Sequence, residues 1–148
     1  MTEKKRSERF NVVLMLAERQ EQLAATRLSQ SYQQLTSEQQ QLAQLQSYNE
    51  DYIKQMGALR QGVYSGDLMG YSYFLQRLAT AVANQGEKIT LIEETIANLQ
   101  ADWQQKHLYR ESIANLIERI AEEENMDLEK QLQRELDQLA VERQKPRL

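Results

Sequence analysis

Residues 78–120 read LATAVANQGEKITLIEETIANLQADWQQKHLYRESIANLIERI. Stepping alternately by four and three from Leu78 lands on Val82, Gln85, Ile89, Ile92, Ile96, Leu99, Trp103, Lys106, Arg110, Ile113, Ile117 and Ile120, and ten of these thirteen positions are apolar. An α-helix repeats every 3.6 residues. An apolar row held at 3.5 stays on one seam only if two helices wind around each other left-handed. The stretch is therefore predicted to be one strand of a coiled coil. Beyond it the row moves to Leu128, Leu132, Leu136 and Leu139, spaced four, four and three. That shift predicts a stutter that locally unwinds the coil.

Working towards the N-terminus, Gly57, Gly62, Gly66 and Gly70 hold four of the five glycines. Each costs roughly 1 kcal/mol against alanine inside a helix, so the cluster marks a connector over residues 57–70. Before it lies a second seam. Leu14, Leu28, Leu35, Leu42 and Met56 share one heptad position, and Leu45, Tyr52 and Leu59 share another. Polar residues interrupt this seam at Glu21, Ser31, Glu38 and Asn49; such residues weaken pairing but can set register.

These readings predict an all-α fold with a single domain over residues 1–148: a long antiparallel two-helix coiled-coil hairpin. Its helices lie near 8–57 and 70–142, joined by the glycine-rich turn and followed by a short tail at Pro146. The second helix is expected to overhang the first by about two dozen residues, with both chain ends at the open end of the hairpin.

Composition agrees with paired helices. Two Phe, one Trp and one Pro are few for a globular core. The net charge of −4 is spread over interspersed signs, which argues against a nucleic-acid footprint. No cysteine is present for disulfides or thiolate metal sites. No apolar run approaches the ~20 residues of a membrane span, which predicts no direct membrane insertion.

No set of residues suggests catalysis. The single histidine, His107, is read as a solvated helix residue, and one His without Cys makes no ordinary zinc site. The glycines of 57–70 lack the Lys-Ser/Thr of a phosphate loop. Glu118, Glu122, Glu123, Glu124, Asp127 and Glu129 read as a solvated acidic face rather than a cation site. The chain is expected to be no enzyme and to need no cofactor or metal.

What remains is binding surface. Gln41, Leu45, Tyr48 and Tyr52 form a stripe beside the first seam, and Phe74, Leu78, Ala81 and Gln85 form its counterpart after the turn. In an antiparallel hairpin turning near residue 64, residues 41–52 face 74–85, so the stripes join. Two-stranded pairing needs one apolar row per helix; surplus aromatic and apolar surface either widens the core locally or meets a partner. Charge supplies a second pattern. Lys4, Lys5, Arg6, Arg9 and Arg19, with Arg143, Lys145 and Arg147, are expected to gather at the open end, either as solubilising charge or as a match for an acidic partner.

The residues also resemble the FliJ family of flagellar type III export proteins. The resemblance is carried by Leu16-Ala17-Glu18 with Ala24-Ala25, by Glu38-Gln39-Gln40-Gln41-Leu42 with Leu45, Tyr48 and Asp51-Tyr52, and by Tyr71-Ser72-Tyr73-Phe74-Leu75 with Leu78, Ala81 and Gln85. Trp103 with Lys106, Glu118-Arg119, Glu124, Glu129-Lys130 and Asp137-Gln138-Leu139-Ala140 extend it. It implies a coiled coil similar to the central stalk subunit of rotary ATPases. It implies contact with the hexameric flagellar export ATPase at the open end, for which Arg9, Arg19 and Arg143 are the candidates. It implies a second contact, with the cytoplasmic region of the export-gate membrane protein, through Gln41, Leu45, Tyr48, Tyr52, Phe74, Leu78, Ala81 and Gln85. Some relatives have His at the last of these positions. The resemblance further implies cycling of export chaperones and a cytoplasmic location, peripheral to the inner membrane at the flagellar base. The rival expectation is a structural coiled coil that only homo-oligomerises; four glycines at mid-chain argue against an unbroken parallel rod.

Overall fold

The computed structural model describes residues 5–58 and 65–144. Two helices hold nearly all of them: α1 at Arg6–Ala58 and α2 at Ser65–Gln144. No strand occurs among the described residues. The chain is an all-α two-helix hairpin, as the seams predict.

The connector is shorter than the glycines suggest. Helix α2 begins at Ser65, so Gly66 and Gly70 lie within helix. Ser and Asp are favoured where helices start, and Ser65 and Asp67 stand at that start, so local sequence there favours a helix despite the flanking glycines. The expected turn residues 59–64, including Gly62, and the tail with Pro146 lie outside the described residues.

Contacts divide the hairpin into two compact units, residues 1–23 with 104–148 and residues 24–103. In the second unit α1 presents Ala24, Leu28, Ser31, Leu35, Glu38, Leu42, Leu45, Asn49, Tyr52 and Met56, all buried or half-buried and spaced four and three without a break. Helix α2 answers with Leu78, Val82, Gln85, Ile89, Ile92, Ile96, Leu99 and Trp103 in the same rhythm. The pairing runs antiparallel: Tyr32 meets Gln100, Glu38 meets Gln85 and Tyr52 meets Phe74, one number rising as the other falls. Ile89, Ile92 and Ile96 are each no more than 8% exposed. No large side chain is completely enclosed among the described residues, since two helices bury a stripe and not a volume.

In the first unit the seam is Ser7, Phe10, Leu14, Ala17 and Glu21 on α1 against Arg110, Ile113, Ile117, Ile120 and Glu124 on α2. Its last layer is a cap. Glu124 accepts from the Ser7 backbone N–H at 3.1 Å and from the Ser7 hydroxyl at 2.8 Å. The carboxylate thus meets free N–H groups at the positive end of α1. Those bonds, with the hydroxyl's first, hold Glu124 below the ordinary carboxylate range.

One helix-interior glycine has no evident packing reason. Beyond its chain neighbours and the backbone of its own helix turns, nothing lies within 4 Å of where a Cβ on Gly86 would stand, and its backbone is helical. Gly86→Ala is expected to stabilise the protein by about 1 kcal/mol and raise Tm by roughly 3 °C in a thermal melt.

Candidate partner-binding sites

The second unit carries the aromatic stripes. Tyr52 stacks on Phe74 with ring centroids 4.3 Å apart and planes inclined by 21°, and Tyr71 meets Tyr52 at 5.9 Å. This contact ties the α1 and α2 stripes together. The eight predicted residues nevertheless divide into two roles. Leu45, Tyr52, Leu78 and Gln85 are seam positions, buried or half-buried. Gln41, Tyr48, Phe74 and Ala81 each precede a seam residue by four, which in an antiparallel pair sets them along one edge of the seam. Of these, Tyr48 is 52% and Phe74 43% exposed, and Gln41 is exposed as well. The Tyr48 hydroxyl accepts from the Gln44 amide at 3.1 Å, which steadies the ring on its helix.

Gln85 faces inward. Its amide donates to both the backbone oxygen and the carboxylate of Glu38. Lys88 adds an ion pair to Glu38 at 2.9 Å. Glu38, only 8% exposed, is thereby satisfied although it occupies an apolar seam position. The Gln85 bond first, and the Lys88 bond second, hold its carboxyl below the ordinary range. Next to Ala81 stand two residues that periodicity does not single out, Tyr73 and Arg77. The guanidinium lies 5.8 Å from the Tyr73 ring centre, and both residues line a shallow depression with Thr80 and Asn84. The run Tyr71-Ser72-Tyr73-Phe74 holds the signal, because adjacent aromatics on a helix cannot all face one seam.

The first unit places the charged candidates differently from expectation. Arg9 and Arg19 are exposed on α1 and belong to one row with Val12, Leu16 and Leu23, spaced three, four, three and four. Val12 and Leu16 are 58% and 54% exposed. The row is therefore apolar and basic together, which charge alone does not reveal. Arg143 does not join it. Ser7 is level with Glu124, and Arg143 follows nineteen residues later on the same helix, about 28 Å along the axis. Lys5 and Arg6 cannot gather with it for the same reason of length; Lys4, Lys145 and Arg147 lie outside the described residues. The stutter is also corrected: residues 125–144 are exposed throughout, so Leu128, Leu132, Leu136 and Leu139 unwind no coil within this chain.

His107 is half-buried and engaged, not simply solvated. Its Nδ1 lies 3.2 Å from Glu21 and its Nε2 3.2 Å from Glu111. Arg110 Nε donates to the other Glu21 oxygen at 2.6 Å. The Arg110 bond first, then the His107 bond, lower the Glu21 pKa. Glu21 fills a seam gap as Glu38 does. Among the described residues no group of His, Asp and Glu converges to hold a metal ion, and no helix is long and apolar enough to cross a membrane.

Glu21, Glu38 and Glu124 all have folded pKa values below the ordinary 4.5. Each contributes stability that is present above 4.5 and lost as pH falls through its lower folded value. Thermal melts are expected to hold level on acidification until about pH 4.5 and to fall below it. Carrying Glu21→Gln, Glu38→Gln and Glu124→Gln together is expected to flatten that fall; an unchanged acid limb would remove these carboxylates from the account.

The chain matches the family described as Flagellar FliJ protein over residues 6–145. No curated protein and no solved structure matches it.

Proposed function

Because the chain belongs to the flagellar FliJ family and so has a role related to flagellar export, we propose that it works there as a binding component that does no chemistry itself. The edge of the second unit at Gln41, Tyr48, Phe74 and Ala81, with Tyr52 beneath it, meets the cytoplasmic region of the export-gate membrane protein. The apolar and basic row of the first unit, with Arg9 and Arg19, meets the export ATPase as a stalk meets its ring. Through these two contacts the chain promotes export and the cycling of export chaperones, and it is held at the inner membrane by its partners.

One observation carries this reading. The seam of the second unit is continuous on both helices, yet Tyr48 and Phe74 stand half-exposed beside it. Aromatic surface not needed for pairing is what interfaces use. Arg143 has no part in the ATPase contact as proposed, since it lies far along α2 from Arg9. The test is a pull-down with the full chain from flagellated cells. Recovery of the export ATPase and the gate protein is expected, with Arg9→Glu and Arg19→Glu removing the ATPase alone. Recovery of neither partner by the unaltered chain overturns the reading.

A further inference from the structure

Glu38 and Tyr52 stand two heptads apart on α1. Their partners on α2 are separated by the same interval. Glu38 meets Gln85 and Lys88, and Tyr52 meets Tyr71 and Phe74. One register therefore sets both layers: where Glu38 faces Gln85 and Lys88, Tyr52 faces Tyr71 and Phe74.

The apolar rows do not choose that register. Leu28, Leu35 and Leu42 recur every seven residues on α1, as Val82, Ile89 and Ile96 do on α2. Sliding one helix by seven residues sets apolar against apolar again. Such a slip moves the centre of the turn by half of seven residues, about one helical turn. It unwinds the turn of α1 that holds Gly57 or the turn of α2 that holds Gly66, and glycine makes both weak helix.

Glu38 does choose. One slip sets it against Leu78 and Ala81, the other against Ile92 and Thr95. The Thr95 hydroxyl already donates to the Leu91 carbonyl at 3.0 Å. In either case a residue only 8% exposed loses the Gln85 amide and the Lys88 ammonium and keeps an uncompensated charge. A polar group at a seam position fixes register in this way even where it adds no stability. We infer that the layer of Glu38, Gln85 and Lys88 positions the aromatic edge, by holding the second unit in the one register that stacks Tyr52 on Phe74. Glu38 is a positioning residue for the gate contact proposed above, and this role rests on that reading.

The chain has no cysteine, so nitroxide labels attach only where one is introduced. Ser29→Cys and Ala79→Cys place both on exposed sites of the second unit. Ser29 lies nine residues before Glu38 and so level with 94–97 of α2, which separates the labels by about 25 Å along the axis. A seven-residue slip changes that offset by about 10 Å. Double electron–electron resonance on the free chain is expected to give one distance for the parent. Glu38→Leu with Gln85→Leu is expected to add a second, displaced population. The same variant should melt no lower than the parent, because an apolar pair replaces a desolvated charge. Its binding to the gate protein's cytoplasmic region should weaken by the reciprocal of the fraction left in register, about threefold if the native and two slipped registers are equally populated. Glu38→Leu alone, which leaves Gln85 in place, should also show displaced distances and weaker binding. Glu38→Gln, whose amide still pairs with Gln85, should restore the single distance and the parent affinity. A single unchanged distance in the double variant overturns the inference, whatever its Tm. So does parent affinity in a chain that shows two distances. Failure of the gate protein to bind the unaltered chain overturns instead the gate reading, and the distances then still decide what fixes the register.

Discussion

Replacing Ile92 and Ile96 together by alanine is expected to lower Tm by roughly 15 °C, while Leu91→Ala leaves it within about 2 °C of the parent. The contrast isolates the seam. Ile92 and Ile96 are 8% and 6% exposed, whereas Leu91, their immediate neighbour, is 63% exposed. Each isoleucine truncation removes buried methylene groups and leaves a gap that two helices close only partly, at about 2–3 kcal/mol. The two sites are one turn apart on the same seam, so the double loss need not equal the sum. Long helices of this kind derive most of their stability from pairing and little from propensity. The melt should therefore show loss of helix in proportion to loss of pairing. Equal costs for Leu91→Ala and Ile92→Ala would mean that Leu91 also faces a partner, and the single seam would be wrong.

That seam is legible in the amino-acid order because period alone defines it. All thirteen positions from Leu78 to Ile120 are buried or half-buried in their units. The first helix is legible as a register but not as chemistry. Glu21, Ser31, Glu38 and Asn49 sit in step with the leucines, yet spacing on one helix cannot say what stands opposite. Only the antiparallel register reveals that Gln85 and Lys88 meet Glu38, and that Arg110 and His107 meet Glu21. The same limit applies to the candidate sites. Periodicity locates the stripes at 41–52 and 74–85 but cannot divide them into seam and edge, so Gln85 reads as surface although its amide faces Glu38. The expected basic cluster fails for a different reason. Charges near both chain ends adjoin only if the helices end level, and α2 continues for residues 125–144 past Glu124, which is level with Ser7 near the start of α1. The leucines of that extension look like core in sequence, since periodicity reports amphipathicity without saying whether a partner is present.

The largest functional effect is expected from Tyr48→Ala, Tyr52→Ala and Phe74→Ala in one chain: binding to the gate protein's cytoplasmic region falls by more than a hundredfold, and flagellar export falls with it. The three rings do different work. Tyr48 and Phe74 offer exposed aromatic area, the surface that carries most interface energy when it becomes desolvated. Tyr52 is half-buried and supports Phe74 from below at 4.3 Å, fixing the presented face before a partner arrives. Because Tyr52 is also a seam residue, the triple change costs some pairing, and lost binding alone would be ambiguous. Tyr48→Ala with Phe74→Ala removes that ambiguity, since both side chains are largely outside the seam and helicity and Tm should stay close to the parent. The double variant is expected to lose at least tenfold in gate binding. Tyr109→Ala serves as the control: it is also exposed, at 48%, but lies on the other unit. If the double variant binds and exports normally while fully helical, the edge at Tyr48 and Phe74 is not the gate contact. If Tyr109→Ala impairs gate binding equally, exposed tyrosine is a general adhesive here and the location of the patch carries no meaning.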